Sequence, residues 1–106
     1  RRKEAVPMLA ISAVALSGMN ASQTALRTSA HNVANLATAG FRRQIVVHET
    51  GREGGVVAQV AQAAAPGSAL EADAVTQLQA KHAFLANLAV FRAHDRMMGA
   101  LLDETV

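Results

Sequence analysis

From about Pro7 to Thr38 the chain carries two stripes at once. Leu16, Met19, Leu26, Ala30, Val33 and Ala37 recur at helical spacings of three, four and seven, with Gln23 in one slot. Beside them lie Ala15, Gly18, Ser22, Ala25 and Ser29, every one of them small. A helix that only covers a core needs one apolar face. Two contact faces, one bulky and one flat enough to admit another backbone, require neighbours on more than one side, as in a bundle or a polymer. We expect the small stripe to admit a neighbouring helix and the bulky stripe to pack on the chain's own second helix.

That first helix should stop near Ala39-Gly40, because Gly40 takes a positive φ without penalty. Asn32 and Asn35 weaken its end by competing for backbone groups. Arg42 to Glu49 contains the β-branched run Ile45-Val46-Val47 and reads as a strand. Thr50 to Gly55, with glycines at 51, 54 and 55, is a turn, and Val56 to Gln62 is a weakly alternating second strand. Ala63 to Ser68, with Pro66-Gly67, is a linker. A second long helix follows from about Ala69 to Glu104. It carries Phe84, Leu88, Phe91, Met98 and Leu102, with Asp95 between, and Leu78, Leu85 and Leu101 widen its apolar face. Glu71 and Asp73 suit the positive end of its dipole.

The expected fold is therefore mainly α: two long N- and C-terminal helices packed as a coiled-coil-like pair, joined by a short β-hairpin. The boundaries are residues 1–7 as a tag or extension, with Met8 as a native start, 8–39 as the N-terminal helix, 40–68 as hairpin and linker, and 69–106 as the C-terminal helix. The whole is one domain.

Composition agrees with rods more than with a thick globule. Hydrophobic residues make up 51% but aromatics only 3%, namely Phe41, Phe84 and Phe91. Much of the apolar content is alanine, which favours helix and buries little area. The net charge of +2 sits largely in Arg1, Arg2 and Lys3, and Arg42-Arg43 is the other basic pair. A nucleic-acid binder usually carries a basic stripe, so solvated surface charge is the better reading. The apolar run Val6 to Met19 is too short to span a membrane and is broken by Ser12, Ser17 and Gly18. Arg1-Arg2-Lys3 before that run imitates a signal peptide, but Glu4 interrupts the charge and the periodicity continues past any cleavage point.

No chemistry stands out. The absence of cysteine excludes disulfides, thiolate metal sites and cysteine catalysis. His31, His48, His82 and His94 form no i, i+4 pair for a metal. There is no G-x-S-x-G elbow, and no G-K-[ST] follows the glycines at 51, 54 and 55. We expect no enzyme, no cofactor, no nucleic-acid partner and no small-molecule substrate. Periodicity alone leaves the stripes open to two readings, an intramolecular core or an intermolecular seam.

Two stretches bear a resemblance. Ala15-Leu16-Ser17-Gly18-Met19, continuing to Ala30-His31-Asn32-Val33-Ala34-Asn35-Leu36-Ala37-Thr38-Ala39-Gly40-Phe41-Arg42-Arg43-Gln44, resembles the N-terminal signature of flagellar rod, hook and hook-associated proteins. Ser29, Ala30, Asn32, Val33, Ala34, Asn35, Thr38, Gly40, Phe41 and Arg43 match its pattern in order. Phe84, Ala86, Asn87, Val90, Asp95, Met97, Leu101 and Leu102 are similar to that family's C-terminal helix. His31 stands where Asn is usual, Ala39 where Pro is common and Phe84 where Tyr is common. Only about 30 residues separate the helices, where family members insert a longer segment.

The resemblance implies a short axial subunit of the bacterial flagellar basal body, placed in the periplasmic rod region. It implies export by the flagellar type III apparatus without a cleaved signal peptide. It also implies self-assembly, as a homo-oligomer and with other axial proteins, through the terminal helices. The assembly and packing residues it points to are Leu16, Gly18, Met19, Ala25, Leu26, Asn32, Val33, Asn35, Gly40, Phe41, Phe84, Asn87, Leu88, Phe91, Asp95, Met98 and Leu102. The alternative is a non-polymerising helical adaptor or regulator that binds axial proteins.

Overall fold

In a computed structural model the structure describes residues 2–52 and 54–105, with side chains from residue 10 to residue 103. The order is α1 (Arg2–Ala34), β1 (Gln44–Thr50), β2 (Val56–Gln62) and α2 (Leu70–Thr105). Two long helices pack together, joined by a short antiparallel hairpin, as expected. At about 1.5 Å per residue, the 33 and 36 residues of the helices make an object of 63 × 24 × 14 Å. Its radius of gyration is 18.0 Å, against about 13 Å for a compact chain of this length.

The helix boundaries differ from those expected. α1 already runs from Arg2, not from Met8, while Arg1 lies outside the described residues. It ends at Ala34 and not at Ala39, where the Asn35 side chain competes for the His31 carbonyl. The Asn35 backbone N–H and side-chain Nδ2 both donate to the His31 carbonyl, at 3.1 and 2.9 Å. The chain then tightens into turns, with Leu36 N–H donating to Val33 O, Thr38 N–H to Asn35 O and Phe41 N–H to Thr38 O. Gly40 has φ 72°, as its position required.

The helices run antiparallel, with Asn32 across from Asp73 and Gly18 across from Asn87. The strands pair in one unbroken register from Gln44↔Gln62 to Thr50↔Val56. The hairpin folds back along α1 and touches it with both strands, on the side next to α2.

The core is thin. Ala15, Met19, Ala21, Ala25 and Ala80 are its buried apolar residues, and Ser22, Thr28, Ser29, Asn32 and Asp73 are buried with them. This reverses the expected use of the two stripes. The small face of α1 turns inward, and only small side chains let α2 and the hairpin both come close to one helix. Of the bulky stripe, Met19 is buried, but Leu16 is 48% and Leu26 43% exposed.

Candidate assembly surface

Asn32 organises the end of the molecule where all the elements meet. Its Oδ1 accepts from the Gln44 backbone N–H at 2.8 Å, and its Nδ2 donates to the Gln44 carbonyl at 2.9 Å. One buried amide thus copies the pairing that a further strand would offer to the edge of β1. The same Nδ2 lies 3.4 Å from Asp73 Oδ1 on α2. Asp73 in turn pairs with Arg43, whose Nε lies 3.4 Å from Oδ2 and whose terminal nitrogen reaches Oδ1. The Asp73 side chain is 3% exposed and that of Arg43 25%. The buried carboxylate is therefore compensated by a guanidinium and an amide, as burial of a charge demands. Helix, strand and second helix are pinned at one polar node.

A second node holds the hairpin tip. The Ser17 hydroxyl donates to Val14 O at 2.7 Å and accepts from Val56 N–H at 3.1 Å. Gly55, with φ 79°, lies so close that a Cβ there would overlap the Ser17 hydroxyl. Between the nodes, β1 and α2 flank a cleft of about 270 Å³ floored by Ala25, Thr28, Ser29 and Asn32. The Ser29 hydroxyl lines this cleft, is buried, and has no hydrogen-bond partner among the described residues.

The residues read from the sequence fall into distinct roles. Met19, Ala25 and Asn32 are buried, Gly18 is half-buried, and Asn87 lies over Gly18 while its Nδ2 donates to Ala83 O. Phe84, Leu88, Phe91 and Met98 are half-buried along α2. Val33 is also half-buried, Asn35 and Gly40 shape the turn after α1, and Phe41 meets His31 edge-on with ring centres 5.5 Å apart. Leu16, Leu26, Asp95 and Leu102 are exposed. The sequence reading named Ser17, Gln44, Arg43 and Asp73 but assigned them none of these contacts, since nothing local marks a serine or an acid as the partner of a segment far along the chain.

Exposed leucines of the two helices meet at one place. Leu26, Phe84 and Leu85, with Gln23, Lys81 and Ala80, border an apolar notch of about 120 Å³ on the α1–α2 seam. Among the described residues no group of three or more His, Asp or Glu is placed to hold a metal, and no helix is long and apolar enough to cross a membrane.

The chain matches no curated protein. Residues 13–42, which contain the Ser17 contact, the small face of α1, Asn32 and the turn through Gly40, match the family described as flagella basal body rod protein, and this match supports membership of the chain in the flagellar basal body rod family.

Proposed function

We propose that the chain is a structural subunit of the flagellar basal-body rod that self-assembles, and joins other axial proteins, through the exposed flanks of its terminal helices. The family match favours a structural role and a basal-body location. The observation that carries the assembly reading is surface. The chain exposes 7718 Å², whereas a compact monomer of 11.0 kDa exposes about 5,600 Å². The excess is larger than the roughly 800 Å² that each partner contributes to a standard interface.

On this reading the roles divide. Gly18, Ala25, Asn32 and Asn87 build the subunit, and Leu16, Leu26, Phe84, Leu85, Leu101 and Leu102 meet neighbours. Export by the type III apparatus without a cleaved signal belongs to the same proposal. So does a place in the periplasmic rod.

Light scattering coupled to size exclusion over a concentration series tests it. Growth into open-ended species supports a polymerising subunit. One fixed mass at every concentration would sink it and favour the adaptor reading, in which closed helical contacts satisfy the exposed leucines.

A further inference from the structure

The hairpin leaves one edge in need of a strand. In an antiparallel pair, residues alternate between exchanging hydrogen bonds with the opposite strand and pointing their N–H and C=O groups away from it. The bonds just outside the strands set the phase. Ala63 N–H donates to Arg43 O at 2.7 Å, and Gly51 N–H donates to Gly55 O at 3.1 Å. With the continuous register, Ile45↔Ala61, Val47↔Gln59 and Glu49↔Val57 are then the hydrogen-bonded pairs. The backbone groups of Gln44, Val46, His48 and Thr50 point out on one edge, and those of Val56, Ala58, Val60 and Gln62 on the other.

The edges are treated differently. β1 is capped by Asn32 at Gln44 and faces α2 across the cleft. Among the described residues, β2 is capped at its start alone, where Val56 N–H meets Ser17. Because Ser17 caps β2 at the tip and Asn32 caps β1 at the base, the hairpin lies obliquely across α1. Beyond Val56, the edge-facing backbone groups of Ala58, Val60 and Gln62 have no hydrogen-bond partner among the described residues.

That edge has none of the usual protection. β2 reads V-V-A-Q-V-A-Q, without charge, proline or bulge, and all of it but Ala58 is exposed. A lone two-stranded sheet also gains from a third strand.

We propose that this edge pairs with the same edge of a second copy of the chain, antiparallel and across a twofold axis, giving one four-stranded sheet β1-β2-β2-β1. The strand is self-complementary in that arrangement. With Val60 on the axis, each Ala58 lies opposite the other copy's Gln62, and only the edge-facing groups bond. Val56, already held by Ser17, is not needed. No like charges meet. The fit to a second copy follows from this symmetry and from the unsatisfied surface of the monomer. The contact is separate from the helix flanks and does not depend on the rod reading.

Amide hydrogen exchange on the intact chain tests the pairing. The Ala58, Val60 and Gln62 amides are expected to gain protection several-fold as concentration rises. Val60→Pro removes an N–H that the β1–β2 ladder does not use, a position where edge strands accept proline. It should abolish that gain and halve the mass of the smallest species, with helical circular dichroism unchanged. Val60→Lys, which sets two ammonium groups side by side on the axis, should do the same if the proline variant misfolds. Edge amides that exchange freely at every concentration would overturn the proposal, even with helix-driven assembly intact. Protection that survives in the folded Val60→Lys protein would overturn it too.

Discussion

Gly18 and Asn87 meet across the helix pair with no room for a methyl group between them. A Cβ built on Gly18 would stand 2.6 Å from Asn87 Oδ1, and the Asn87 amide is held in place by donating to Ala83 O. The glycine lowers the helix propensity of α1 by about 1 kcal/mol relative to alanine, so close approach is what that cost secures. Gly18→Ala alone should lower stability by roughly 1 kcal/mol. Gly18→Ala with Asn87→Ala should recover it, because the second change removes the obstruction. Urea unfolding of the single and double variants measures both, and simple additivity would show that the contact does not matter.

Asn32→Ala should be among the most damaging single changes. It strips the Gln44 N–H and C=O of their partners at once, at about 1–3 kcal/mol for each buried group left unpaired. Asn32→Asp should be worse still, since it sets a second carboxylate against Asp73. The urea midpoints of the two variants give the order, and Gln44 amide exchange reports whether the strand end has come loose.

Breaking the ion pair should depend on which partner goes. Removing Arg43 leaves a nearly buried carboxylate, which costs about 3 kcal/mol. Asp73→Ala leaves a partly exposed guanidinium that water can reach, and should cost less. Equal losses in denaturant titrations would mean that the charge is not what matters at this node.

Gly99 stands inside α2 with nothing within 4 Å of where a Cβ would be. Gly99→Ala should therefore stabilise the subunit by about 0.5–1 kcal/mol, read as a raised thermal midpoint. A lowered midpoint would mean that the glycine serves a neighbour in the assembly.

The two stripes of α1 should respond oppositely to substitution. Ala25 is buried, so Ala25→Trp should unfold the subunit, at a cost above about 3 kcal/mol. Leu26→Lys should leave the helical signal intact and suppress concentration-dependent growth in light scattering. A soluble, folded Ala25→Trp protein that fails only to assemble would restore the opposite assignment of faces.

Helix periodicity, the β-branched run at Ile45–Val47, and the glycines at 51, 54 and 55 are local properties, and each determined its element from sequence alone, whereas Gly40 placed the end of α1 five residues late. So did the outline of two long helices about a hairpin, since alanine-rich stretches poor in aromatics can form rods but not a deep core. The motif residues around Asn32 and Arg43 were also legible as a pattern, but not as a mechanism. Which face of α1 turned inward was decided only by tertiary structure. Two partners, α2 and the hairpin, compete for one helix, and the face that lets both come closest is the small one. The meeting of Asn32 with Gln44 and of Arg43 with Asp73 was decided there too. Residues far apart in the chain become partners only when folding brings their elements together, and the burial of Asn32 and Asp73 then leaves them little water to bond instead.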